Sequence, residues 1–121
     1  MQTADELFVR VQNSTKGVSL GEGIAVASDS KTRRTGLLKH QQLAPGEGLW
    51  IVPCEAVHTF GMNFSIDVVF LSRSKKILKV RKSMPVRRVS MCLRAHSVLE
   101  LPAGMLDETG TGVGDQLELE R

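Results

Sequence analysis

The sequence predicts a mainly β protein, a compact β-sandwich or barrel-like sheet of about eight strands with one main α-helix packed on it. Three observations carry this. Valine, isoleucine and leucine arrive in short runs broken by Gly and Pro, a composition that fits strands. Several of these runs alternate apolar and polar residues with a period of two. Only one stretch carries both a start and a stop signal for a longer helix.

The elements follow in order. ELFVRVQN (Glu6–Asn13) puts Leu7, Val9 and Val11 on one face and Phe8 and Arg10 on the other, a half-buried strand. GVSLGEGIAVA (Gly17–Ala27) reads as a second strand, bent at Gly21 or Gly23. SDSKTRRTGLLKHQQL (Ser28–Leu43) is the helix: Ser28 or Asp29 can accept the free amides of its first turn, and its bases sit toward the C-terminal half, where the helix dipole favours them. Gly36 falls inside it, at a cost of about 1 kcal/mol relative to Ala, which points to the close approach of another backbone. APGEG (Ala44–Gly48) ends the helix in a turn.

From Leu49 the chain is strand-rich. LWIVP is a short buried run; AVHTF and IDVVFLS follow, with Gly61-Met62-Asn63 as the kink between them. SRSKK (Ser72–Lys76) is a polar loop. ILKVRK alternates, with Leu78 and Val80 inward and Lys79 and Arg81 outward, and MPVRRVSMCL starts irregularly at its Pro. SVLELPAG puts Val98 and Glu100 on one face, Leu99 and Leu101 on the other. AGMLDETGTGVGD has room for one helical turn, and DQLELE closes the chain with Leu117 and Leu119 inward and Glu118 and Glu120 outward. There is no internal repeat or linker, so residues 1–121 read as a single domain.

At 41% apolar and 24% charged residues, the composition is that of a soluble globular protein. No segment approaches the roughly 18 apolar residues of a membrane span, and MQTADELFVRVQNS has early acids and no apolar stretch of a signal peptide. The expected setting is cytoplasmic, and the two cysteines are expected as thiols. The net charge of +3 is distributed unevenly: nine bases and no acid lie between Val68 and Leu99, six acids and one base from Glu100 onward. The tract 73–94 can serve an anion, with Lys79, Arg81, Arg87 and Arg88 as candidate contacts. It can equally pair with acids of a neighbouring strand. With 4% aromatics and no Tyr, a base-stacking nucleic-acid binder is disfavoured.

Cys54/His58 and Cys92/His96 share a four-residue spacing, and Cys and His are zinc ligands. On a strand that spacing separates the side chains by about 13 Å, too far for one ion without a sharp bend, so no metal or cofactor is assigned. A thiolate pair of Cys54 with His58 or His96, oriented by Asp67, is a second reading. Simple packing of the cysteines is the third. Asp67, in an apolar strand after a kink, requires partners: backbone amides of the preceding bend, or Arg33 or Arg34. GTGVGD lacks the strand, helix and Lys of a phosphate loop and reads as a turn.

Taken together, RRTGLLKHQQLAPGEGLWIVP, VHTFGMNFSIDVVFL, SVLELPAG and GVGD, in that order, resemble the prokaryotic family catalogued as domain of unknown function 192. The resemblance spans about residues 18 to 120 and maps the family's motif positions to Arg33, Gly36, Leu37, Asp67, Leu99, Glu100, Leu101, Gly104, Gly114 and Asp115. Here HTFGMNF stands where many members have an aromatic-Trp-Met stretch and Asn-Thr, which looks like one branch of the family. The resemblance implies a β-sandwich or barrel with a helix and brings no established activity.

The reading that results is a small noncatalytic module, monomeric or weakly dimeric, binding a small polar or anionic ligand, or a partner protein, where Arg33, His58, Thr59 and Asp67 converge. The alternatives are a hydrolase or metal-dependent enzyme using Cys54, His58 and Asp67, and anion or nucleic-acid binding through the basic tract.

Overall fold

Alternation in the first segment decides the first pairing. β1 (Phe8–Asn13) buries Val9 and Val11 and exposes Phe8 and Arg10, and it turns at Gly17 into an antiparallel β2 (Val18–Ala27). The computed structural model describes residues 7–37 and 42–121, apart from the side chains of residues 31, 34 and 35.

After β2 comes α1 (Ser30–Thr35). Asp29 is its cap: its carboxylate accepts the Thr32 amide at 2.7 Å, and the Thr32 hydroxyl accepts the Asp29 amide at 3.3 Å, a reciprocal capping box. The helix expected to run to Leu43 with Gly36 in its interior stops much earlier. Gly36 takes φ 50 and ψ −128, a conformation that L side chains rarely adopt, and its amide donates to Thr32 O at 2.9 Å. Gly36 therefore ends the helix. Residues 38–41 of the expected helix lie outside the described residues.

The remaining elements are β3 (Glu47–Ile51), β4 (Ala56–His58), β5 (Ile66–Leu71), β6 (Ile77–Met84), β7 (Val89–Met91), β8 (Ser97–Pro102), α2 (Met105–Thr109) and β9 (Leu117–Glu120). Seven strands form one sheet in the order β6-β5-β8-β3-β2-β1-β9, with β2 and β3 parallel and the other pairs antiparallel. The sheet curls into a half-barrel until its two edges meet. Ile77 donates to Asp115 O and Leu117 donates to Lys75 O, both at 2.9 Å, so β9 reaches the start of β6. β4 and β7 pair separately as a two-stranded sheet.

Both faces are buried at the centre of the curled sheet, in β5 and β8. All six residues of β5 are buried, Val69 and Leu71 in one layer, Ile66, Val68 and Phe70 in the other. The first layer lies inside the half-barrel, with Val11, Ile24, Leu99, Leu101, Leu117 and Leu106 of α2. The second lies outside, covered by Leu37 after α1 and by Val57 and Met62 of the β4 segment. Truncating a side chain such as Phe70 in such a layer costs about 3–5 kcal/mol.

Gly48 is the glycine at which close packing is decisive. A Cβ there would come within 2.5 Å of Glu100 O and 2.9 Å of Ile24 Cδ1. The close backbone approach assigned to Gly36 occurs here, where β3 lies against β8.

The charge polarity of the sequence is resolved in part by neighbours. Arg10 and Glu120 are 3.7 Å apart across β1 and β9, and Lys82 meets Asp107 of α2 at 2.7 Å. Glu118 and Glu120 face β1, while Lys79 and Arg81 lie on β6 at the opposite edge of the sheet order.

Candidate functional site

Strand alternation places Glu100 on the Val98 side of β8, in the outer layer, where it is 4% exposed. Among the described residues no group donates a hydrogen bond to its carboxyl. Burial alone pushes its pKa from 4.5 up to about 7. An acid in this position is costly to the fold unless it is neutral or finds a partner.

Glu100 lines a cavity of about 80 Å³ together with Arg33, Leu37, Ile51, Cys54 and His58, among others. Three elements bring these residues there. Arg33 projects from α1, with Nη1 donating to Ser28 O at 2.7 Å. Cys54 follows the cis Val52–Pro53 bond, its amide donating to His96 O at 2.9 Å. His58 sits on the exposed side of β4, because the alternation there buries Val57, and its ring is 5.9 Å from that of Phe60. Arg33, Ile51, Cys54, Ala56 and His58 also border a wider, open depression of about 640 Å³. The result is a narrow recess of mixed polar and apolar lining, with one buried acid in its wall and a guanidinium and an imidazole beside it.

The Cys54 thiol donates to Ala56 O at 3.1 Å. Burial is the main cause pushing its pKa above the ordinary 9.0; the nearby Glu100 charge adds to this, while the hydrogen bond to Ala56 and the Arg33 charge oppose it. It is a thiol kept protonated, with a carbonyl and not an imidazole as its partner.

The convergence expected of Arg33, His58, Thr59 and Asp67 narrows to Arg33 and His58. Thr59 is buried and occupied within the fold: its hydroxyl donates to Pro85 O at 2.7 Å and accepts the Arg88 amide at 2.9 Å. Asp67 sits in the opposite layer, accepting the amides of Ser83 at 2.7 Å and Leu106 at 2.8 Å. Its partners come from β6 and α2, not from the preceding bend or from Arg33. Cys54, His58 and Asp67 therefore form no linked triad.

Cys54, His58, Cys92 and His96 are likewise not gathered. Among the described residues no three His, Cys, Asp or Glu side chains come together as a metal-binding group. Cys54 and His96 do share a second open depression of about 430 Å³ with Arg73 and Arg94. Both cysteines are free thiols.

The basic candidates are scattered. Lys79 donates to Met91 O at 2.7 Å and lies 5.6 Å from the centre of the Phe70 ring. Arg81 is half-buried on β6, and Arg87 and Arg88 are exposed ahead of β7. Arg88 directs Nη1 to Val86 O and Arg87 O at 3.4 and 3.3 Å.

Glu100 is the residue that the sequence reading did not include in the site. Its signal is the acid inside Val98–Leu101: alternation assigned it a face, and only the covering of that face shows the acid to be buried.

A profile of the family domain of unknown function 192, described as an uncharacterized ACR, matches residues 11–119. The chain belongs to this family. Two archaeal relatives, both named UPF0127 protein, agree with that membership. The one from Thermococcus sibiricus is 28% identical over 116 residues, covering 89% of this chain and 73% of the relative. The one from Pyrococcus abyssi is 30% identical over 112 residues, covering 88% and 93%. Two solved structures share the fold of this family member. A Sinorhizobium meliloti protein described as a candidate transcription regulator superimposes with a TM-score of 0.83 at 21% identity, covering 98% of this chain and 97% of that one. A Novosphingobium aromaticivorans protein of unknown function gives 0.81 at 17% identity, covering 98% and 90%. Among the described residues no helix is long and apolar enough to cross a membrane.

Proposed function

We propose that this family member is a noncatalytic binding module that holds a small polar ligand in the recess between α1, β4 and β8. The observation that carries this reading is Glu100: a buried carboxyl without a hydrogen-bond donor, lining a cavity that opens beside Arg33 and His58. Buried polar groups in folded proteins are satisfied as a rule. A carboxyl without a protein donor in the wall of an accessible recess is available to a group that enters.

The recess also brings Arg33, His58 and Glu100 beside apolar Leu37, Ile51, Val57 and Met62, a combination of polar and apolar lining found in small-molecule sites. The catalytic alternative draws less support, because Cys54 is a raised-pKa thiol bonded to a carbonyl and Asp67 is turned to the other layer. The basic-tract alternative also draws less support, because Lys79 and Lys82 are engaged with Met91 O and Asp107. The reading takes residues 1–121 as one domain, with the two free thiols consistent with a cytoplasmic setting.

The test is amide NMR with a panel of small amines, alcohols and acids. Shifts concentrated at Leu37, Ile51, Val57 and Glu100, and abolished by Ala56→Trp at the mouth, are the expected result. A panel that leaves those amides unmoved would end the proposal.

A further inference from the structure

We infer that the recess selects an aliphatic ammonium group, with Glu100 as its counter-ion. This rests on the reading of the recess as a ligand site and adds the chemical class that enters it. Three features of the walls carry it.

The first is polarity. Leu37, Ile51, Val57 and Met62 give the recess apolar walls beside Arg33 and His58, and Glu100 is the acid of its lining. An uncharged polyol would leave the charge of Glu100 without a counter-ion. A carboxylate or phosphate would set like charge against Glu100 at close range. An alkylammonium presents a charged donor to the carboxylate and methylenes to the apolar walls.

The second is the lack of an internal counter-ion. Arg33 is the cation lining the recess, and its Nη1 is held on Ser28 O at 2.7 Å. Among the described residues no cation forms an ion pair with Glu100. A desolvated carboxylate without a partner gains most from an incoming cation, since the attraction is strong where water is excluded.

The third is size. At about 80 Å³ the recess is roughly half the ~150 Å³ that admits a benzene ring. That suits a head of about three or four heavy atoms, such as an aminoethyl or aminopropyl end, with any remainder lying in the open depression.

The pairing links binding to protons. The ammonium meets ionised Glu100, so affinity rises with the ionised fraction while the alkylamine, like a lysine side chain, stays charged. With the carboxyl titrating at about 7, affinity rises by about 30-fold from about pH 5.5 to about pH 8. The other titratable groups lining the recess are His58 on β4 and Cys54 after β3, with Arg33 on α1 as the fixed charge.

The experiment uses the full chain and three probes of similar size, propylamine, propanol and propionate, followed by amide NMR at both pH values. Propylamine is expected to shift Leu37, Ile51, Val57 and Glu100 with the pH dependence above. Propanol and propionate are expected to bind at least tenfold more weakly. Glu100→Gln should lose at least tenfold in propylamine affinity and its pH dependence, whereas His58→Gln should retain the pH dependence. In the wild type, a carboxyl-carbon titration should show the Glu100 midpoint falling when propylamine is present, a readout that needs no variant. Propanol binding as well as propylamine at the same amides, or an unmoved Glu100 midpoint under saturating amine, overturns the ammonium assignment and leaves the ligand site standing. No shift from any of the three probes at tens of millimolar overturns both.

Discussion

Asp67 Oδ2 accepts the backbone amide of Leu106 at 2.8 Å across 39 residues of sequence, and so caps α2 from a neighbouring strand. The helix needs this, because its own N-cap residue is Gly104, which supplies no side-chain acceptor. The other oxygen accepts the Ser83 amide at 2.7 Å, at a residue with φ 47 on β6. Asp67 thus fastens the plug of the half-barrel and the irregular end of β6 with one carboxylate. Glu100, on the strand beside it and opposite Val68, faces the other layer and has no such donors. Two acids on adjacent strands are buried alike, one fully used by the fold and one left over.

The use of Asp67 by the fold gives the first prediction. Asp67→Asn keeps the shape but places an NH2 group against one of the two amides, leaving a donor facing a donor. The expected loss is about 2–4 kcal/mol in urea unfolding, with local opening at Leu106 in hydrogen exchange. A loss below about 0.5 kcal/mol would show that neither bond matters to the fold.

Glu100 gives a pH dependence of opposite sense to ordinary acid denaturation. Its folded pKa of about 7 lies above its ordinary 4.5, so the folded state holds the proton more tightly in that interval. The stability from this group is fully present below 4.5 and is lost as pH rises through about 7. The shift corresponds to about 3 kcal/mol at most, at 1.36 kcal/mol per unit. Glu100→Gln should flatten this slope and be more stable than the wild type by about 1–2 kcal/mol at about pH 8, the amide's own unmet hydrogen bonds taking back part of the gain. Asp115 works in the other direction and at lower pH. Lys16 first and Asn13 second hold its carboxyl below 3.8, so its contribution is lost as pH falls below that value. Parallel stability curves for wild type and Glu100→Gln from pH 5 to 8 would refute the assignment.

Gly48→Ala tests the contact between β3 and β8. The added methyl meets the Glu100 carbonyl at 2.5 Å, a backbone atom that cannot swing aside, and Leu101 Cδ2 at 3.2 Å. Overpacking of this kind costs about 1–3 kcal/mol, and here the upper end is expected. Thermal unfolding unchanged from wild type would mean that the strands separate freely at this point.

Much of the fold is legible in the sequence where one local rule governs. β1 and β9 follow alternation because one of their faces meets water, and Asp29 caps α1 because its acceptor lies three residues from the amide it binds. Where two layers are buried, alternation gives parity without burial. It places Glu100 with Val98 but cannot show that the Val98 side is covered. Gly36 is ambiguous for a different reason: a glycine near bases fits a helix interior and a helix end equally, and the φ of 50 that distinguishes them is set by the chain that follows. The partners of Asp67 were not legible at all, since Ser83 and Leu106 are brought to it by strand order and carry no mark of that in their own surroundings. The candidate site shows the same division. His58 could be singled out as a polar residue beside a bend and Arg33 as a base on the helix, while Thr59 and Asp67 carry the same polar mark until their hydrogen bonds are assigned.

The state of Cys54 distinguishes a passive wall from a nucleophile. Burial, reinforced by the Glu100 charge, raises its pKa above 9.0, so its thiolate fraction near neutral pH is below that of an unperturbed cysteine. In a Cys92→Ser background, alkylation of Cys54 by iodoacetamide at about pH 8 should be slower than that of an unstructured peptide cysteine, and should accelerate only as pH rises past 9.0. Glu100→Gln removes one charge that opposes the thiolate, so a modest acceleration is expected in that variant. A Cys54 that reacts faster than the peptide would mean an activated thiolate, and the recess would then have to be read as a catalytic centre and not as a binding site.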